Sequence, residues 1–230
     1  MLARLRFLLA FLPLFAVALA QDGQLHRIGD LHSVVGLGQD QARIQLSSLR
    51  HLPHLYGFGP AAGRDGEVSL FDGQLSVARM NQGQSSVSAD WDASACLLAY
   101  VQVAHWREQK NFQLTDLDDL DRQLQPLSGQ QPLAFRITGC ARKVDFHILD
   151  RQGRPALGHE ANKQIQIPFQ LRDEPVECFG IYSEHHQGIL THRGSNLHIH
   201  VRTRDGRLSG HLDQLQMTEG SLWLTGATAP

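Results

Sequence analysis

The sequence predicts an α+β fold dominated by antiparallel or mixed β-sheet. Short runs of alternating or fully apolar residues recur from Glu67 to Leu224, and Gly or Pro separates most of them. Only two stretches carry helical spacing, too few for a layer of helices over a parallel sheet.

In chain order, Leu25 to Val35 alternates weakly and reads as an opening strand. Ala42 to Leu52 sets Ile44, Leu46, Leu49 and Leu52 at helical spacing, with Pro53 as a stop, and reads as a short helix. A glycine-rich passage from Tyr56 leads to two short strands, Glu67–Phe71 and Gln74–Arg79. Asp72-Gly73 joins them, a dipeptide suited to a type I′ hairpin turn. The polar stretch from Asn81 to Asp92 reads as a loop, and Cys96 to Trp106 as a buried strand. Thr115-Asp-Leu-Asp has the form of a capping box, with Asp118 in place of the usual Glu. It opens a helix that runs to about Gln125, closed by Pro126 and Gly129. Strands follow at Leu133–Thr138, Lys143–Leu149, Gln164–Phe169, Val176–Ser183, Leu197–Thr203, Arg207–Leu215 and Ser221–Leu224. Repeats, low-complexity tracts and linkers are absent, so residues 21–230 read as a single domain.

The first twenty residues read as a secretory signal. Arg4 and Arg6 precede an apolar run from Phe7, and Ala18-Leu19-Ala20 supplies a small-x-small cleavage site. The run is short for a bilayer span and Pro13 interrupts it. The expected mature chain begins at Gln21 and is periplasmic or secreted, with no membrane attachment after cleavage. A net charge of −2 without a basic stripe excludes the usual nucleic-acid binder. Cys96, Cys140 and Cys178 show no metal-type spacing; they form one disulfide with a thiol left over, or serve as three buried small hydrophobes.

Histidine is the informative residue. Of 13 in the chain, six (His185, His186, His192, His198, His200 and His211) lie between positions 185 and 211. His198 and His200, two apart on a strand, share a face. With Asp205-Gly206 as a two-residue turn and Arg204 paired to Arg207, His200 stands directly opposite His211 and His198 lies on the diagonal. Three imidazoles then converge on one face, leaving positions open for water or substrate as a catalytic metal site requires. The same register sets Asp213 opposite His198, as a partner behind the ligand. Zinc is the expected divalent ion, with iron, copper and nickel as the other imidazole-compatible choices. His192 reads as a fourth ligand, a substrate contact or a loop residue, and His185 and His186 as surface residues.

This spacing, His198-x-His200 and then Gly210-His211-Leu212, resembles the metal site of the bacterial α-acetolactate decarboxylases. His54-Leu-Tyr-Gly-Phe-Gly, Asp65-Gly-Glu-Val-Ser-Leu-Phe-Asp-Gly-Gln-Leu, Leu133-Ala-Phe-Arg-Ile-Thr-Gly and Gly180-Ile-Tyr-Ser resemble other segments of that family. The likeness runs from about Leu25 to Leu215. It implies two sheet-rich halves with a metal site in the cleft between them, a homodimer, and loss of CO₂ from 2-acetolactate to give acetoin. It also implies that Glu67 is the acid/base. The family's catalytic arginine aligns with His147, which lacks the guanidinium fork that grips a carboxylate. Its C-terminal glutamate has no match before Pro230, Glu219 being a poor stand-in. Arg193, close to the histidines, is the remaining candidate for holding a substrate carboxylate.

Three functions compete on these grounds. The first is a decarboxylase acting on 2-acetolactate or a related small 2-hydroxy-3-oxo acid. The second is an exported metal-binding protein that kept the site and lost the catalysis. A Glu67 aimed at the metal favours the former, and a solvent-facing Glu67 the latter. The third, a cupin-like metalloenzyme suggested by Gly194-Ser-Asn-Leu-His-Ile-His, lacks the glutamate that the cupin motif needs between Val201 and Asp205.

Overall fold

A computed structural model describes residues 23–155 and 157–225; the expected export signal lies outside them. Strands β1 (His26–Ile28), β2 (Ile44–Gln45), β3 (Leu55–Pro60), β4 (Glu67–Phe71), β5 (Gln74–Asn81), β6 (Gln84–Ser88), β7 (Ser94–Ala95) and β8 (Leu98–Gln102) make the first half. Strands β9 (Trp106–Leu114), β10 (Leu133–Leu149), β11 (Gln166–Leu171), β12 (Glu174–Tyr182), β13 (Leu197–Thr203) and β14 (Ser209–Thr225) make the second, with helices α1 (Leu117–Leu124) and α2 (His159–Lys163). The fold is α+β with two sheet-rich halves. One six-stranded sheet runs β1-β8-β3-β4-β5-β6 and the other β11-β10-β12-β13-β14-β9; β2 and β7 pair separately. Every pairing among the named strands is antiparallel.

Local chemistry accounts for the hairpins. Asp72 and Gly73 carry φ of 51° and 75°, the left-handed pair that a type I′ turn demands. Gln82 and Gly83 repeat it at 50° and 81°, which makes β6 out of a stretch the sequence presents as a loop. As the sheet's last strand, β6 half-buries only Ser85 and Val87, so its apolar alternation is faint. The helix expected over Ala42 to Leu52 is instead the short strand β2 and one 3₁₀ turn, Leu46–Leu49. Pairing of Ile44 and Gln45 with Ala95 and Ser94 takes the residues that would have begun it. The α1 cap is Asp116 rather than Thr115. Its side chain accepts from Asp119 N (2.7 Å), and Asp119 Oδ2 accepts in return from Thr115 N (3.3 Å). Helix α2, five residues long, carries too little periodicity to be read from sequence.

Two pairs of expected strands are single long strands. Residues Leu133–Leu149 and Ser209–Thr225 each run continuously, and the apparent breaks are bulges, with register shifts near Cys140, Ala141 and Asp145. Strand β10 pairs with both β12 and β14, β12 with β13, and β13 with β14, so these four close a ring.

Alternation then sorts side chains between two cores. On β4, Val68 and Leu70 join the first half's core while Glu67, Ser69 and Phe71 face the second sheet. On β13, Leu197, Ile199 and Val201 enter the second half's core, and His198, His200 and Arg202 face the first sheet. Aromatics fill the seam, with Phe58 5.7 Å and Tyr56 5.5 Å from Phe179. Behind it, buried Arg64 donates to Asp40 and, at 2.9 Å, to Asn162, and Arg151 also pairs with Asp40, tying the halves together. All three cysteines are free; Cys96 and Cys178 are buried and Cys140 is exposed, which corrects both cysteine expectations.

Candidate metal centre

The histidine hairpin forms in the expected register with a different turn. Thr203 N donates to Leu208 O (2.9 Å) and Gly206 N to Thr203 O (2.9 Å), so Arg204 to Arg207 form a four-residue loop and do not pair. That loop has the same centre as a two-residue Asp205-Gly206 turn, so His200 still pairs with His211. A close approach fixes the other edge. A Cβ on Gly210 would lie 2.4 Å from His147 O, so only glycine lets β14 meet β10 here, where His147 pairs with His211.

Five imidazoles gather as a result. Ring centroids of His198 and His211 lie 4.9 Å apart, with His200 5.7 Å and 5.5 Å from them and His192 5.2 Å and 5.1 Å. His147 lies 4.7 Å from His211 on the far strand. The ring nitrogens that come within 4.8 Å of one another belong to His192, His198 and His211. His200, expected as a ligand, stands deeper: its Nδ1 is 2.9 Å from Ser69 Oγ and its buried Nε2 has no hydrogen-bond partner. The ring of Phe58 stacks on His200 at 5.0 Å and touches His198 at 4.4 Å, forming an apolar floor.

Glu67 is 2% exposed, and its Oε2 lies 3.6 Å from His200 Nε2, just outside hydrogen-bond reach. Burial, reinforced by the Asp213 carboxylate, pushes its carboxyl well above the ordinary carboxylate range. The same desolvation, together with mutual repulsion, pulls His192 down to about 4 and His198 to about 3, and holds His200 and His211 well below an ordinary imidazole. Near neutral pH these are uncharged rings with lone pairs available, the state that metal binding requires. His198 Nδ1–H donates to Leu190 O (2.7 Å), which leaves Nε2 as its ligand atom. An orphaned buried nitrogen and a convergent neutral donor set fit an imidazole-preferring divalent ion.

Asp213 is not where the simple register puts it. Pairing of β13 with β14 ends at His200–His211, and β14 bulges between Leu212 and Gln214. The bulge turns the Asp213 carboxylate to His147 Nδ1, 2.9 Å from both oxygens, and away from His198. Arg193 is exposed, its side chain beside Gly188. Glu219 is exposed on β14 opposite Cys140. His185 is exposed and His186 half-buried, bonded to Ser183 Oγ at 2.8 Å. Sequence reasoning missed Ser69 and Phe58. Ser69 was within reach, since it shares Glu67's face of β4 two residues on.

The family model for alpha-acetolactate decarboxylase matches residues 39–228. The chain belongs to the alpha-acetolactate decarboxylase family. Two solved structures illustrate the fold. A Staphylococcus aureus protein of unknown function, similar to alpha-acetolactate decarboxylase, is 18% identical with a TM-score of 0.72, covering 87% of this chain and 84% of that one. Acetolactate decarboxylase from Bacillus subtilis subspecies spizizenii is 16% identical with a TM-score of 0.73, covering 87% and 85%. A comparison with curated proteins returned no match. Family membership supports a carboxy-lyase at the coarse level of reaction class.

Proposed function

We propose that this chain decarboxylates 2-acetolactate, or a related small 2-hydroxy-3-oxo acid, to acetoin and CO₂ at a divalent metal, zinc by donor preference. The observation that carries this reading is Glu67, a buried carboxyl 3.6 Å from His200 at the edge of the histidine cluster. His198, His200 and His211 would hold the ion, which supplies Lewis acidity toward the negative charge that develops as CO₂ leaves. The bond to the carboxylate carbon breaks, and its electron pair moves onto the neighbouring carbonyl as an enediolate. Glu67, kept protonated by burial, delivers the proton that completes acetoin. Phe58 and the aromatic seam exclude water around that transfer. His147, held by Asp213, is the group available where the family has its arginine; Arg193 would have to swing inward to assist.

One observation favours a second reading, a non-catalytic exported metal binder. His147 has one nitrogen committed to Asp213 and offers a carboxylate no two-pronged grip. The test is to express residues 21–230, measure bound metal by elemental analysis, and follow acetoin from racemic 2-acetolactate. Acetoin lost in the His198→Ala/His200→Ala double variant supports the decarboxylase. One metal per chain with no acetoin above the spontaneous rate favours the binder, and a protein that takes up no metal removes both.

A further inference from the structure

His192 lies outside the His-x-His…Gly-His pattern, yet its ring nitrogen is one of the three that converge most tightly. Its ring touches both His198 and His211, the two members that any three-histidine arrangement here must share. The loop that carries it is braced. His186 O accepts from the amides of Ile189, Leu190 and Thr191, at 2.9–3.3 Å. The amides of His32 and Leu31 donate across to Gly188 O and Ile189 O. Leu190 also takes the His198 Nδ1 hydrogen bond, so one loop both orients His198 and positions His192. A tetrahedral zinc site, with Zn–N of about 2.0–2.1 Å, sets its ligand nitrogens about 3.3 Å apart. The nitrogens of His192, His198 and His211 already lie within 4.8 Å of one another, and His200 adjoins this group with its ring centre 5.7 Å from that of His198 and 5.5 Å from that of His211.

We propose that His192 is a fourth imidazole ligand of this centre, alongside His198, His200 and His211. The inference rests on the metal reading above and adds to it a coordination sphere with one fewer open position. His192 and His211, the half-buried members of the set, would hold the ion on the side nearer solvent.

The test uses residues 21–230 loaded with Co²⁺, whose visible spectrum reports ligand number, and with Zn²⁺ for affinity by chelator competition and for imidazole count by X-ray absorption. The wild type should show four imidazoles. His192→Ala, with His192→Gln as a second variant of similar reach, should show three. It should bind Zn²⁺ at least about tenfold more weakly, and its Co²⁺ spectrum should return toward wild type on addition of free imidazole. Unchanged spectrum, count and affinity in both variants, with binding still abolished by His198→Ala, would overturn the fourth ligand and leave the metal centre standing. Binding that survives His198→Ala and His211→Ala would instead remove the metal centre, and this inference with it.

Discussion

Glu67 Oε2 and His200 Nε2 face each other across the two sheets at 3.6 Å, both buried. The imidazole nitrogen is buried with no hydrogen-bond partner, and burial penalises the ionised form of the carboxyl. Glu67→Gln keeps the shape and removes the transferable proton. It should lower acetoin formation by about 10²–10⁴-fold, the usual worth of a general acid, with metal content unchanged. A variant retaining near-normal turnover would end the proton-donor role.

The clustered histidines make a prediction about pH. Unfolded imidazoles take up protons near 6.5, whereas His192 waits until about 4 and His198 until about 3. The unfolded state therefore binds protons first, and the metal-free protein loses stability as pH falls from about 6.5 towards about 4. Glu67 acts in the opposite sense above 4.5, because its folded form keeps a proton that the unfolded form gives up. Four imidazoles outweigh one carboxyl. Chelator-treated protein should therefore melt at lower temperature at about pH 5 than at about pH 7. A melting point that stays level or rises on acidification contradicts the burial assigned to these rings.

Asp213 is predicted to matter chiefly through His147, which it holds at 2.9 Å. Asp213→Asn weakens the hold on Nδ1 and should cost about 10–100-fold in turnover or metal affinity, the range for partners that orient a site residue. In a His147→Ala background the same change should add little, because the two act as a unit. Fully additive losses in the double variant would separate them.

Arg64 tests the join between the halves. Its guanidinium is 1% exposed and satisfied by Asp40 and Asn162. Arg64→Met strips those partners of a buried donor and should cost about 3–5 kcal/mol in urea unfolding, as for other broken buried pairs. Arg151, which still reaches Asp40, pulls the value to the lower end. A loss below about 1 kcal/mol would show the pair behaving as though solvent-exposed.

Much of this was legible in the sequence, and the reasons are specific. Asp72-Gly73 announces its hairpin because few other dipeptides tolerate two positive φ angles in succession. His200 stands opposite His211 with either turn length because the two-residue and four-residue loops share one midpoint. Glu67 stands out in the sequence through the family resemblance alone; its burial depends on the second sheet, which no local pattern reveals. Asp213 departs from the register the sequence predicts because a bulge leaves no mark in residue periodicity. His192 sits on a loop whose course is set by backbone bonds to Leu31 and His32, far away in the chain. Non-local pairings of this kind are where residue-by-residue reading stops.

The closed ring of β10, β12, β13 and β14 has a consequence for how the site comes into being. The histidine hairpin has a neighbour on both flanks, β12 beside β13 and β10 beside β14, so its backbone is committed before any ion arrives. Many small metal proteins are assembled by their ion and collapse without it. Here the ion would be a guest in a finished room. Chelation should therefore leave this architecture intact, with a fold unchanged on treatment with a chelator and on reloading as the expected outcome.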